Sequence, residues 1–475
     1  MIMSNIRNEV KFGTDGWRGV ISDNFTFKNV AIVAQAIAQW IIKDIKFSSA
    51  QAKKVAVGYD TRFLSKEYAE IVARVLAKNG ITVLLSEEAI PTPALSYGVV
   101  EIKGVCGVMI TASHNPGKFN GIKIKTSEGG GAGNDITNKI EAYLEKTPVK
   151  TDDLDVLLKS KKIAYHNYKT AYLTFMKNYV DLKRIKRAKF KVIQDVMHGS
   201  GGRILEEVLQ GSSIRLELMR SEVNPSFAGK KPEPVAEYLE EIIARVKKDK
   251  FDLGLVLDGD ADRIGAVAPG GEFINPQRIL GLIILHLVRN HKRKGSVVKT
   301  ICGTTMIDNI CEDLGLLLHE TPVGFKYVSD LMVSERVIAG GEEAGGIGVQ
   351  DYIPERDGTL AGLLLIEMMV YEKKNLKQLL DDMEKKYGRY YYLRADVALG
   401  RKKFDMDKVK SIKTLLGKKV VDIKDYDGVK LICEDQSWLM FRPSGTEPLV
   451  RAYSEATTLK RSQQLIQYGE ALLKK

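Results

Sequence analysis

The stretch KVAVGYDTRFLSKEYAEIVARVLAKNGITVLLSE, residues 54–87, decides the fold. Its first apolar run, Val55–Tyr59, is short and bounded, as a buried strand is. Lys66–Lys78 then sets Ile71, Val72, Val75 and Leu76 at helical spacing, and Asn79-Gly80 stops the helix. Ile81–Leu85 is a second apolar run. Strand, helix, strand in that order is a βαβ unit, which predicts a parallel sheet. Upstream, Val30, Val33, Ala34, Ile37 and Ile41 mark one face of an earlier helix. Downstream, a third strand, Val105–Ile110, runs into Thr111–Pro116.

The rhythm then restarts. Phe190–Val196 is strand-like, Arg203–Leu209 helical, Ile214–Met219 strand-like, Val235–Val246 helical and Leu253–Leu257 strand-like. A third cycle has Ile279–Val288 as helix, Val297–Ile301 as strand and Thr359–Val370 as helix. From Tyr390 onward, strand candidates separated by turns at Asp427-Gly428 and Pro443–Gly445 alternate with helices near Val409–Leu416 and Leu459–Leu473. The expectation is an α/β protein of three similar mixed-sheet domains, 1–150, 151–268 and 269–375, followed by a smaller α+β domain, 376–475.

Composition agrees with a globular chain. The 475 residues are 44% apolar and 28% charged, with a formal net charge of +12. The longest apolar stretch, Ile279–Val288, is interrupted by Gly281 and His286, far short of the ~20 residues a bilayer needs. The start, MIMSNIRNEV, lacks an apolar export core. The four cysteines form neither a CxxC pair nor a disulfide framework. A cytoplasmic protein without membrane association is expected. The lysines are dispersed among acids, with no basic arm or aromatic-basic array, which argues against a nucleic-acid partner.

Six motifs carry chemistry. In Leu257–Arg263 (LDGDADR), Asp258, Asp260 and Asp262 follow a buried strand at spacing two, so their carboxylates share one side. Three such charges call for a cation, and all-oxygen ligands favour Mg²⁺, with Ca²⁺ or Mn²⁺ open. Arg263 and Pro269 stand where an EF-hand needs Gly and Glu. In Ile110–Pro116 (ITASHNP), Ser113 stands on a strand-to-loop turn beside His114, as a nucleophile, a phosphate carrier or a simple turn serine. Its flanks do not match a hydrolase elbow. In Asn120–Lys125 (NGIKIK), Lys123 and Lys125 share a strand face, where a partly desolvated lysine can serve as acid or base, or which is a solvated surface. Phe441–Pro448 (FRPSGTEP) offers Arg442, Ser444, Gly445 and Thr446 as a phosphate cradle or a plain turn. Gly340–Gly346 (GGEEAGG) sets Glu342 between glycines, suited to sugar hydroxyls or to solvent. Phe12–Gly19 (FGTDGWRG) puts Trp17 and Arg18 on a glycine-rich loop. A dehalogenase-type phosphatase with Asp258 as nucleophile is disfavoured, since Asp262 stands where that site wants Thr or Val.

In this order, FGTDGWRG, TASHNP, DGDADR, GEEAGG and RPSGTEP resemble the α-D-phosphohexomutase superfamily, from Phe12 to about Glu455. The resemblance implies four domains around a central cleft and reversible phosphoryl transfer on a hexose phosphate. It makes Ser113 the phosphoserine, joined by Asp258, Asp260 and Asp262 in holding one Mg²⁺. Arg263 becomes a charge stabiliser, Lys123 the general acid/base and Arg18 the arginine near the phosphoserine, with His114 also at the catalytic loop. Glu342 would contact sugar hydroxyls, and Arg442, Ser444, Gly445 and Thr446 the substrate's own phosphate. Glucose 1,6-bisphosphate is the implied intermediate and activator. Pro322–Val328 (PVGFKYV), with Gly324 and Lys326, resembles the loop of glucose-directed members, and Trp17 departs from the aliphatic residue usual in the phosphoglucosamine branch. Ala344 stands where many glucose enzymes have serine. Phosphoglucomutase is the expectation, with phosphomannomutase or a dual glucose and mannose activity as the alternative and a non-catalytic sugar-phosphate binding protein as the rival outside enzymes.

Overall fold

The computed structural model describes residues 10–13, 15–45, 53–398, 404–443 and 449–474. The stretch that opened the reading folds as strand Lys54–Tyr59, helix Ser65–Lys78 and strand Thr82–Ser86, with the two strands parallel. Strand Cys106–Ile110 pairs parallel to the other side of Lys54–Tyr59, and Phe119–Lys125 returns antiparallel to it.

The same arrangement occurs three times. In the second sheet, Arg215–Met219, Lys191–Asp195 and Leu253–Leu257 are parallel and Ile264–Ala268 folds back antiparallel. In the third, Leu318–Thr321, Ser296–Thr300 and Val337–Gly341 are parallel and Ile347–Val349 folds back. Each unit thus places its strands in the spatial order second, first, third, fourth. The link from third to fourth strand is a short hairpin loop in every case. Those loops are Thr111–Lys118, Asp258–Arg263 and Glu342–Gly346, which hold three of the motifs.

Local chemistry accounts for the helices around these sheets. Thr26 caps helix Phe27–Asp44 by accepting the Asn29 N–H. Asn275 caps Pro276–Arg289, where Pro276 occupies a first-turn position that needs no N–H donor. Asn375 and Gln378 form a reciprocal capping box on Leu376–Tyr387. Among the described residues, no helix is long and apolar enough to cross a membrane.

The fourth unit is a fully antiparallel sheet. It runs Tyr391–Ala398, Leu449–Ala456, Trp438–Pro443, Val429–Cys433, Lys418–Lys424 and Thr414–Leu415, backed by helix Leu459–Lys474. One large apolar cluster joins the first three units, from Ala94 and Leu95 through Leu253 and Leu255 to Ile283 and Leu364. The fourth keeps its own core around Leu431, Phe441 and Leu465. It meets the third through a narrow seam of Ile301 and Cys302 against Trp438, Met440 and Tyr453. All four cysteines are buried and free.

The structure departs from expectation at several places. Strand Ile163–His166, beyond residue 150, completes the edge of the first sheet, because it pairs parallel with Thr82–Ser86. Helix Leu376–Tyr387 buries Leu379, Leu380 and Met383 in the large shared cluster rather than in the fourth unit. The helix expected over Val235–Val246 is split into a 3₁₀ turn, Ala236–Tyr238, and helix Glu240–Lys248. The one near Val409–Leu416 is the short helix Met406–Lys410, followed by strand Thr414–Leu415. The turn at Pro443–Gly445 lies largely outside the described residues, as do Ser444, Gly445 and Thr446.

Candidate active site

Ser113 sits in the first hairpin loop with φ of 52°, in the left-handed region that non-glycine residues seldom adopt. Neighbouring groups hold it there. Its N–H donates to Thr111 Oγ1 at 2.9 Å, and Thr111 Oγ1 donates to Asp60 Oδ2 at 2.6 Å. Arg62 reaches across the loop, donating to the carbonyls of Ser113, Asn115, Pro116 and Phe119, while its Nε is paired with Asp60 at 3.1 Å. Asp60 and Arg62 follow strand Lys54–Tyr59, at the strand ends where ligands gather in α/β sheets.

The second hairpin brings the acidic cluster to this serine. Ser113 Oγ donates to Asp258 Oδ2 at 2.8 Å. A side chain on Gly259 would place its Cβ 2.5 Å from the Ser113 carbonyl, so the two loops meet only because that residue is glycine. Asp258, Asp260 and Asp262 are all fully buried, with carboxylate oxygens within 4.8 Å of one another.

Cations close around them. Lys123 Nζ, on strand Phe119–Lys125, lies 2.8 Å from both Asp260 Oδ2 and Asp262 Oδ2, and 2.9 Å from Asp15 Oδ2. Lys123 and Lys125 do share a strand face, but that face is buried, and Lys125 pairs with Glu355. Arg356 spans three units, touching Asp15 at 2.6 Å, Asp262 at 2.7 Å and Glu342 at 3.1 Å. Arg18 stands on an edge strand, Trp17–Val20, rather than on a loop, and donates to Asn115 Oδ1 at 2.6 Å. The backbone N–H of Arg263 donates to Asp258 Oδ1 at 3.1 Å, and its buried Nε makes no hydrogen bond among the described residues.

Burial and neighbours set the protonation states. Burial, then repulsion from Asp262 and Asp260, pushes the Asp258 carboxyl well above its usual range. Burial acts the same way on Asp260, but Lys123 outweighs it and holds that carboxyl below the usual range. For Lys123, burial opposes the charge, and Asp15, Asp260 and Asp262 more than compensate, so it is held protonated. Burial and the cations Arg263, Arg18 and Lys123 depress the His114 imidazole, which is therefore neutral at pH 7. Its Nδ1 lies 3.4 Å from Ser113 Oγ.

A divalent cation fits this donor set. Lys123 and Arg356 satisfy the Oδ2 atoms of Asp260 and Asp262, while the Oδ1 atoms of both are buried without a hydrogen-bond partner among the described residues. Buried carboxylate oxygens of this kind are ligands for a hard cation.

The remaining expected residues that are described lie in the third hairpin loop, at helix Phe325–Ser334, in the fourth unit and in the first core. Glu342, in the third hairpin loop, reaches the cluster through Arg356, and burial raises its carboxyl despite that arginine. Ala344, half-buried in the same loop, adds only a methyl group. Gly324, with φ of 136°, opens helix Phe325–Ser334, and Lys326 Nζ on that helix donates to Asn134 of the first unit at 2.7 Å. Burial and Arg442 both lower the Lys326 ammonium, which places those two cations in one field. Arg442 Nε lies 2.9 Å from each oxygen of Asp427, whose Oδ2 also accepts the Val323 N–H at 2.7 Å. Trp17 is buried against Phe25 in the first core, so it has no direct contact by which to select a sugar.

Sequence reasoning missed Asp60, Arg62, Glu355, Arg356 and Asp427. The first pair was visible as a charged dyad at the end of an expected strand, and Asp427 as part of an expected turn. Glu355 and Arg356 precede helix Gly358–Glu372 with no spacing that marks them.

Comparison with known proteins gives one consistent answer. Models of the phosphoglucomutase/phosphomannomutase family match as alpha/beta/alpha domain I over residues 9–150, domain II over 170–271, domain III over 275–387 and the C-terminal domain over 393–468. A "Probable phosphoglucosamine mutase" of Methanosphaera stadtmanae is 30% identical, covering 94% of each chain. A phosphoglucomutase/phosphomannomutase of Thermococcus kodakarensis is 28% identical, covering 97% of this chain and 98% of its own. A crystal structure from Thermus thermophilus, described provisionally as a phosphomannomutase, superimposes with a TM-score of 0.86 at 32% identity, over 98% of this chain and 99% of that one. With four domain models matched in order and hairpin loops converging on Ser113, the chain belongs to the phosphoglucomutase/phosphomannomutase family, the α-D-phosphohexomutases.

Proposed function

We propose that the protein is a phosphoglucomutase, interconverting glucose 1-phosphate and glucose 6-phosphate through phospho-Ser113 and a glucose 1,6-bisphosphate intermediate. The observation that carries this reading is the 2.8 Å contact of Ser113 Oγ with Asp258, inside a ring of cations drawn from three units. In the first half-reaction the bond from Ser113 Oγ to phosphorus breaks as one forms from phosphorus to the free sugar hydroxyl. Ser113, Asp258, Asp260 and Asp262 would hold one Mg²⁺, whose charge stabilises the transferring phosphoryl group when bound. Arg263 and Arg18 add positive charge on the protein side.

Lys123 handles the hydroxyl proton. Asp15, Asp260 and Asp262 hold Lys123 charged, the form in which it can give a proton to a sugar oxygen. In the return step Lys123 gives a proton to the departing sugar oxygen, and Ser113 Oγ already points its own toward Asp258. Between the halves the bisphosphate must turn end for end. Arg442 and the loop carrying Ser444, Gly445 and Thr446 would bind whichever phosphate is distal, with Glu342, Gly324 and Lys326 along the sugar.

The glucose assignment rests on the Pro322–Val328 loop, where Lys326 bridges toward the first unit. Ala344 favours a second reading, a mixed glucose and mannose activity, since it removes a hydroxyl that would discriminate. The test follows conversion of glucose 1-phosphate in Mg²⁺ with a glucose 1,6-bisphosphate primer, beside mannose 1-phosphate and glucosamine 1-phosphate. Turnover of glucose 1-phosphate well above the others is expected. Comparable rates on mannose would replace the glucose reading with the mixed one, and preference for glucosamine would overturn both. Ser113→Ala should abolish turnover and covalent phosphate alike; retained activity would sink the mechanism.

A further inference from the structure

Two histidines and a glutamate meet outside the cleft, in the third unit. His286 occupies the last turn of helix Pro276–Arg289, His291 lies just past its C-cap Asn290, and Glu367 sits midway along helix Gly358–Glu372. The side chains of His286 and Glu367 are 0% exposed and that of His291 is 15% exposed. Both Nε2 atoms lie 2.8 Å from a single oxygen, Glu367 Oε2. The rings stand edge to face with centroids 4.9 Å apart, which turns the two nitrogens inward together.

We infer that His286 Nε2, His291 Nε2 and Glu367 Oε2 form a binding site for a divalent transition metal of the zinc type, at the joint between the second and third units. Three observations support this. The ligand atoms all fall within 4.8 Å of one another, so a small expansion admits a tetrahedral ion. The donor set is two nitrogens and one oxygen, which selects zinc-like ions over the Mg²⁺ suited to the all-oxygen aspartate cluster. Glu367 is also oriented from outside, because its Oε1 accepts the Asp181 N–H from the second unit at 2.6 Å.

One outer contact must rearrange for His286 to ligate. His286 Nδ1 lies 3.0 Å from the Asn290 side-chain amide, which also contacts Glu372 Oε1 at 3.0 Å. Turning that amide over presents its oxygen to an Nδ1–H, the tautomer that frees Nε2 for a metal, and requires the Glu372 carboxylate, which now accepts from the same amide nitrogen, to swing away. In that exchange a neutral imidazole moves its proton from Nε2 to Nδ1, so no net proton is lost. Tyr371 stacks on His291, and the Arg184 guanidinium lies over the Tyr371 ring at 4.1 Å with its Nε 3.4 Å from Asp181. The exposed edge of His291 supplies the entry path and a fourth position for water. The ion would tie helix Pro276–Arg289 to helix Gly358–Glu372, whose first residue lies two past Arg356 and about 14 Å along the helix from Glu367.

The test uses full-length protein stripped by chelator and kept in excess Mg²⁺. Zn²⁺ is titrated by calorimetry and Co²⁺ by visible absorption. One Zn²⁺ per chain, undisplaced by Mg²⁺, is expected. His291→Ala should weaken it at least tenfold, as loss of a ligand does, while Asp260→Asn leaves it unaltered. His291→Cys, which retains a metal ligand, should keep binding and give bound Co²⁺ a thiolate charge-transfer band. Absence of Zn²⁺ binding, equal binding in His291→Ala, loss of binding only in Asp260→Asn, or no thiolate band would each overturn the assignment.

Discussion

At the scale of single residues, the site depends on Arg62, which lies far in sequence from the Ser113 loop it holds. Arg62 holds the Ser113 loop by its carbonyls, in the manner of a bracket. Arg62→Ala should therefore cut kcat by about 10²-fold, since misplacement by ~1 Å costs that much, while folding survives; steady-state kinetics beside circular dichroism checks this. Lys is no substitute, because four carbonyls need the planar fork. A neighbouring pair addresses stability instead. Lys125 and Glu355 are buried together, so Lys125→Met leaves a carboxylate with its main counter-charge removed and should cost roughly 3–5 kcal/mol. The double change Lys125→Met with Glu355→Gln should recover part of that loss in urea unfolding, and equal losses for single and double variants would refute the pairing argument.

At the scale of elements, helix Gly358–Glu372 begins with a strained charge. Burial lifts the carboxyl of its cap, Asp357, from 3.8 to about 7, against hydrogen bonds from Leu360 N–H, Tyr172 and Tyr352. The sign follows from which state holds the proton. Between pH 4 and 7 the folded chain keeps that proton and the unfolded chain has lost it, so this group's contribution to stability falls as pH rises and is fully lost above 7. The span amounts to roughly 4 kcal/mol at ~1.4 kcal/mol per unit. Asp357→Asn keeps a capping oxygen without the charge, so its unfolding free energy should be flatter from pH 5 to 8 than that of the parent; parallel profiles would contradict the assignment. Elements were also the level at which sequence reasoning succeeded best. Val55–Tyr59, Lys66–Lys78 and Leu253–Leu257 each carry a pattern of their own, and the structure keeps them within a residue. The aspartates and Ser113 were legible because they follow such strands. Arg356 was not, because what defines it is contact with Asp15, Asp262 and Glu342, hundreds of residues apart in part, which no local spacing encodes. Lys123 was half legible: its face was readable, its burial beneath three carboxylates was not.

At the scale of the whole molecule, three units share one apolar cluster and the fourth is joined by a thin seam. Asp427 bridges that seam, holding Arg442 and accepting the Val323 N–H of the third unit. Asp427→Ala should raise KM for the sugar phosphate about tenfold or more, in line with a lost charged hydrogen bond worth ~1.5–3 kcal/mol, with a smaller change in kcat. An unchanged KM would show that the other contacts of the fourth unit, the apolar seam and Lys424 and Tyr426 on Glu320 among them, place Arg442 without Asp427. The three repeated units carry a further consequence. Each presents its business residues from the link between its third and fourth strands, so one architectural address is filled three times with different contents: serine, aspartates, glutamates. Copies of a single scaffold have been given a division of labour. On the proposed function, the link assigned to the sugar could diverge without disturbing the links assigned to phosphate and cation, which fits relatives of the same family being named for different sugars.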